Sequence, residues 1–176
     1  QSLQYLKTDL FQSVKLSYGS DKYLSMYIFL PIDTLENLLQ SFTYKNWDIW
    51  KTQFALQKGS LFLPKFRVDY EQDLQQVLTN LGMGEAFSDN ANFNSMRAEG
   101  TPAIKLSQFK HKAFIQVDEQ GTEASAVTNL DADTASIIST QQEPFIMDVN
   151  KPFLYLIHDY QTDEVLLLGT IKNPQL

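Results

Sequence analysis

Residues 110–128 read KHKAFIQVDEQGTEASAVT. The first part has the bulky alternation of a strand and ends in two acids, Asp118 and Glu119, followed shortly by Gly121. Thr122, Glu123, Ala124, Ser125, Ala126, Val127 and Thr128 come next. None of these forms a nucleophile with a base beside it, a metal ligand set or a phosphate cradle. Read with period two, Thr122, Ala124, Ala126, Thr128, Leu130 and Ala132 fall on one side, small and mostly apolar. Glu123, Ser125, Val127, Asn129, Asp131 and Asp133 fall on the other, mainly polar. That is the pattern of a half-buried strand. Yet the residues have weak strand propensity and no large anchors, so they would not hold a sheet alone. Two readings stand. The segment is a solvated acidic loop, or it is a strand able to slide between two others when a gap opens.

The flanking sequence is more ordinary. The chain has 176 residues, 43% apolar and 20% charged, enough for one domain with a core. Its net charge of −7 argues against nucleic acid or an anionic membrane as partner. From Ala113 to Asn150 there is no Lys, Arg or His, and the acids Asp118, Glu119, Glu123, Asp131, Asp133, Glu143 and Asp148 match the net charge. No apolar run has the length of a bilayer span. The start at Gln1 rather than Met, with no signal peptide, is expected of a processed chain or a fragment. There is no cysteine, hence no disulfide, thiolate metal site or Cys nucleophile, and the compartment stays open. His111 and His158 are far apart and make no metal site. No cofactor is implied.

Turn and periodicity signals predict a mixed sheet protein with few helices. SVKLSY (13–18) and YLSMYIFLP (23–31) read as strands joined by the turn GSDK, within a three-stranded run over 4–31. TLENLLQSF (34–42) reads as a helix capped at Asp33 or Thr34. In YKNWDIWKTQF (44–54), Trp47, Trp50 and Phe54 have helical spacing and point to core packing rather than a cofactor stack. GSLFLPKFRVDYE (59–71) reads as a strand broken at Pro64. EQDLQQVLTNLGM (71–83) reads as a helix with Leu74, Val77, Leu78 and Leu81 on one stripe, stopped by Gly82. AFSDNANFNSM is a loop, and 103–119 is one long strand. FIMDV, PFLYLIHD and EVLLLGTI are three strands, the last two forming a hairpin around YQTD. The segment 120–143 is a long loop, and such loops in compact domains are usually functional or disordered.

Three ordered stretches carry a resemblance. LPKFRVDYEQDLQQVLTNLGMGEAFSDNANFNSM (63–96), KHKAFIQVDEQGTEASAVT (110–128) and NKPFLYLIHDYQTDEVLLLGTIKNP (150–174) resemble the C-terminal half of a serpin, with similarity from about Leu3 to Pro174. The resemblance implies an α+β serpin fold: mixed and antiparallel sheets, a few helices and an exposed reactive loop at about 119–143. It implies that 1–176 is the C-terminal half of a single serpin domain, with the N-terminal half absent. It also implies a monomer for the full-length protein, and no enzyme.

The implied function is inhibition of a serine protease, with cysteine proteases also taken by some members. The protease cuts the loop and forms an acyl-enzyme. The loop then inserts as a new strand before water releases it, and serpins are themselves a standing example of strand insertion. The alternative is a non-inhibitory serpin: a carrier, a chaperone or a protease substrate. Gly121 and the small residues at 122–128 resemble the hinge of inhibitory members. Glu119 matches the acid at the base of the loop, Lys65 the lysine that pairs with it, and His111 a histidine that gates the sheet. His158 matches nothing and is expected to be structural or exposed. Counted in the family's usual way, fourteen residues beyond Gly121, the resemblance implies a reactive bond at Ala135–Ser136, which would suit elastase-like or subtilisin-like proteases. The stretch from Gly121 to Pro152 is longer than in common members, so a cut within SIISTQQ, at Ile137 or Ile138, is the other placement. The expected location is extracellular or in the cell envelope, with the cytoplasm as the alternative.

Overall fold

A computed structural model describes residues 1–96, 98, 102–118 and 143–174. The chain divides into two units, 1–66 with 117–176, and 67–116.

The first unit is built on a seven-stranded sheet. β1 (Ser2–Lys7), β2 (Phe11–Tyr18) and β3 (Leu24–Pro31) form successive hairpins. The β2–β3 turn is the one predicted at GSDK. It bends through Gly19 (φ 66°) and Lys22 (φ 55°), the left-handed region that glycine enters at no steric cost. β4 (Ala55–Phe62) pairs antiparallel with β1, and β7 (Phe145–Asp148) pairs parallel with β4. On the other side, β8 (Phe153–Asp159) joins β3, and β9 (Glu164–Ile171) closes a hairpin with β8. The order is β7-β4-β1-β2-β3-β8-β9, antiparallel but for one pair, as expected of a mixed sheet.

Two short helices cover one face. α1 (Leu35–Ser41) starts where Thr34 accepts the Asn37 amide at 3.2 Å, so Thr34 is the cap and Asp33 instead accepts the Asn37 side chain at 2.5 Å. α2 (Tyr44–Trp50) is capped the same way by Thr43. Their apolar faces meet the sheet. Phe11, Tyr27, Phe29, Leu35, Leu38, Trp47, Trp50, Leu154 and Leu156 form one buried cluster, with Phe54 packed against it. The rings meet mostly edge to face, Tyr27 on Trp47 at 4.9 Å and Phe11 on Trp50 at 4.8 Å, the arrangement favoured by aromatic quadrupoles. The aromatics at 47, 50 and 54 are core, as their spacing predicts.

The second unit is thinner. β5 (Phe66–Asp73) and β6 (Lys110–Val117) form a two-stranded sheet. The break between β4 and β5 falls at Pro64, as expected. Two other expectations are corrected. The helix predicted over 71–83 is only α3 (Gln75–Leu78), followed by a widened turn over Thr79–Met83. β5 uses the residues through Asp73, and Gly82 at φ 98° breaks the helical path. The predicted stripe is not a buried face, since Val77 and Leu81 are exposed. The long strand over 103–119 is likewise shorter, because residues before Lys110 are committed elsewhere. The Leu106 amide donates to the Ala86 carbonyl at 3.0 Å, and Phe109 receives the Leu74 amide at 2.8 Å.

Candidate functional site

The candidate site is the segment between β6 and β7. Its outgoing strand is β6, whose side chains alternate. Lys110 and Lys112 lie on one face, where Glu71 of β5 meets their ammonium groups at 3.7 and 2.9 Å. Phe114 lies on that face too, with the Arg67 guanidinium 4.9 Å from its ring centre. Arg67 is also paired with Asp69 at 2.8 Å, which raises its proton affinity and holds the Asp69 carboxyl below its usual range. His111, Ala113 and Ile115 occupy the opposite face, and only Ile115 of these is buried. The His111 ring stands 6.0 Å from that of Tyr70, tilted by 62°. These contacts put higher-numbered β5 residues beside lower-numbered β6 residues, an antiparallel pair. Among the described residues β6 has one hydrogen-bonded neighbour, leaving its other edge open.

The incoming end is fixed more firmly. Gln57 of β4 donates to the Glu143 carbonyl at 3.0 Å. Phe145, the first residue of β7, is buried and stacks on Tyr5 with ring centres 4.1 Å apart. It lies directly over Gly59 of β4, where a Cβ would overlap its ring. This glycine is therefore required by close approach rather than by its backbone angles.

Of the residues singled out by sequence, His111 lies on β6 beside Tyr70, and Lys65 is exposed in the link between β4 and β5. Glu119, Gly121, Thr122, Glu123, Ala124, Ser125, Ala126, Val127 and Thr128 lie outside the described residues, as do Ala135, Ser136, Ile137 and Ile138.

His158, expected to be structural or exposed, is fully buried on β8. Its Nε2 is 3.0 Å from Asp163 Oδ1, and its Nδ1 is buried without a hydrogen-bond partner among the described residues. Asp163 in turn takes both oxygens to Lys51 Nζ, at 2.6 and 2.7 Å. Desolvation pushes His158 below its ordinary value, outweighing the opposite pull of Asp163. The Lys51 hydrogen bond holds Asp163 down, while Asp163 and Asp48 raise Lys51. No sequence signal places this chain of charges, because its members are brought together from distant segments.

The family model for serpins, described as serine protease inhibitor, matches residues 1–174. The mouse protein Serpin B10 is 34% identical over 182 aligned residues, covering 99% of this chain and 44% of that protein. Native protease nexin-1, solved with heparin, superposes with a TM-score of 0.79 at 26% identity, over 99% of this chain and 46% of that one. Thyroxine-binding globulin in complex with thyroxine has the same TM-score at 24% identity, over 100% of this chain and 45% of that one, and shows the fold alone. The chain spans less than half the length of these relatives. With the sheet order and the β6–β7 segment already in place, the match along nearly the whole sequence settles the family: the chain belongs to the serpins.

Proposed function

We propose that these residues are the C-terminal half of an inhibitory serpin whose bait is the segment between β6 and β7. The observation that carries this reading is the run GTEASAVT directly after the loop's outgoing strand, in a chain matching the serpin family over residues 1–174. Gly121 and Thr122 begin the hinge, and Glu123 to Thr128 form the part that enters the sheet. The small inward set, Thr122, Ala124 and Ala126, minimises the barrier to entry. About a dozen inserted residues bonded on both edges release on the order of 10 kcal/mol, at roughly 0.5–1.5 kcal/mol per hydrogen bond. β6 has an open edge among the described residues, which supports it as one wall of the gap. Lys65 and Glu119 are the pair at the base of the loop, and His111 the gate. The reactive bond is Ala135–Ser136, and the target a serine protease with a small apolar pocket, elastase-like or subtilisin-like. The protein supplies bait and stored free energy, not catalytic groups.

The test uses the full-length protein. It is incubated with pancreatic elastase, subtilisin and trypsin and run on a denaturing gel, and the mass of the released C-terminal peptide is taken. The expected result is an SDS-stable complex and a peptide beginning at Ser136. Clean cleavage without complex, at any bond, supports the carrier or substrate reading instead. Thr122→Arg places a charge on the inward face of the entering strand. It is expected to convert most of the complex to cleaved serpin, because slowed insertion lets hydrolysis win. An unchanged complex yield in this variant overturns the hinge assignment.

A further inference from the structure

We propose that the chain Lys51–Asp163–His158 is an acid-released latch on the β8–β9 hairpin. The latch joins two elements that are distant in sequence. Lys51 caps the C-terminal end of α2, its amide donating to carbonyls of that helix, and its side chain also meets Asp48 at 2.9 Å. Asp163 sits in the β8–β9 turn at φ 58°, a region a non-glycine residue enters at a cost. Asp tolerates that region better than most residues, and here its carboxylate gains both a lysine and a histidine. The turn is thus held in its strained form by the contacts the latch provides.

The environment of His158 favours the neutral ring. Its ring is enclosed by Tyr160 at 4.8 Å, Trp47 at 5.3 Å and Tyr27 at 6.4 Å between centres. The charged groups acting on it are Asp163 at hydrogen-bond distance, Asp159 on its own strand, and Lys51 behind Asp163. Asp48 acts through Lys51. Beyond the ring of Tyr160, Lys15 donates to the Tyr160 hydroxyl at 2.8 Å, and that hydroxyl also bonds Tyr27. Ser25 of β3 lies across from His158 and donates to Ser17 instead. In the neutral ring, Nε2–H donates to Asp163 and Nδ1 is a bare lone pair. A second proton would leave an Nδ1–H donor on a buried cation with no acceptor among the described residues, and the Lys51 charge opposes it. The closed hairpin therefore excludes this proton, and an opened hairpin accepts it.

The sign follows. His158 in the closed form lies below its ordinary value near 6.5, so closure is unaffected above that value and loses stability as pH falls beneath it. Asp163 adds nothing in that window, because it loses its charge only below its ordinary 3.8.

Amide hydrogen exchange on the intact protein at pH 7.5 and 5.5, corrected for intrinsic rates, tests the latch. The opening constant of residues 153–171 is expected to rise by up to about tenfold at the lower pH, one proton being taken up on opening. β1 and β2 serve as the internal reference. His158→Gln keeps a donor towards Asp163 but cannot charge, and its β8–β9 exchange is expected to be insensitive to this pH change. Equal pH dependence in the two proteins overturns the proposal. Should the variant misfold, a carbon-13 titration of the His158 ring in the unmodified protein decides. A ring that takes its proton while 153–171 stays protected overturns the latch as well.

Discussion

In the seven-stranded unit, Phe11, Tyr27, Phe29, Phe153, Leu154 and Leu156 are completely shielded from solvent, while among the described residues of the 67–116 unit Ile115 is the one buried hydrophobic side chain. The first unit holds seven strands and the second two, and the covering layer differs as well. α1 and α2 seal one face of the large sheet, and the aromatic cluster fills the space beneath. The β5–β6 pair instead presents ion pairs and leaves Phe114 exposed, and Val77 of α3 and Leu81 of the following turn are exposed too. Burial on this scale places stability in the first unit, and a pair of strands with few buried contacts is the part that rearranges at least cost. That asymmetry suits a molecule whose proposed function needs a firm frame and a sheet edge free to accept a strand.

The sharpest way to break the comparison is to remove one large side chain from each unit. Phe29→Ala leaves a cavity among rings that cannot collapse into it, and is expected to cost about 3–5 kcal/mol in denaturant unfolding. Leu81→Ala, at a position 75% exposed, is expected to shift stability by no more than about 0.5 kcal/mol. Similar losses at the two positions would mean that the second unit has a core of its own. A smaller effect is expected where the loop returns. Gly59→Ala forces the Phe145 ring off β4 and off its stack with Tyr5, at about 1–3 kcal/mol. Raised protease sensitivity at the start of β7, with the β1–β3 hairpins unaffected, would mark the damage as local.

The same contrast explains what was legible in the sequence. The first unit follows local rules. Its hairpins announce themselves by turn residues between strand-like runs, its first helix by a cap, and its second by the spacing of Trp47 and Trp50. In the second unit local signals mislead. The leucine stripe has helical period, but of the helix predicted over 71–83 β5 consumes the start and Gly82 breaks the end. The residues before Lys110 look extended, yet Leu106 bonds to Ala86 and Phe109 to Leu74. His158 shows a third limit. Its ring packs against Tyr27 and Trp47, more than a hundred residues away, and no local pattern encodes such a meeting. The segment proposed as the reactive loop is singled out by family resemblance and by small residues alternating with period two, and it lies outside the described residues.

The smallest expected effect tests whether the ion pairs of β5 and β6 replace the missing core. Glu71 draws in both Lys110 and Lys112, and at 49% exposure its charge is well solvated. Water screens such pairs, and ordering the long lysine side chains offsets part of the attraction. Glu71→Gln should therefore lower stability by less than about 1 kcal/mol, and that loss should shrink further at high salt. A loss that survives high salt would show that Glu71 acts through packing or a hydrogen bond rather than through charge. The β5–β6 pair would then be stiffer than its exposure suggests, and strand insertion beside it would have to overcome that stiffness. A loss that vanishes with salt shows that the charge pairing holds β5 to β6 only weakly.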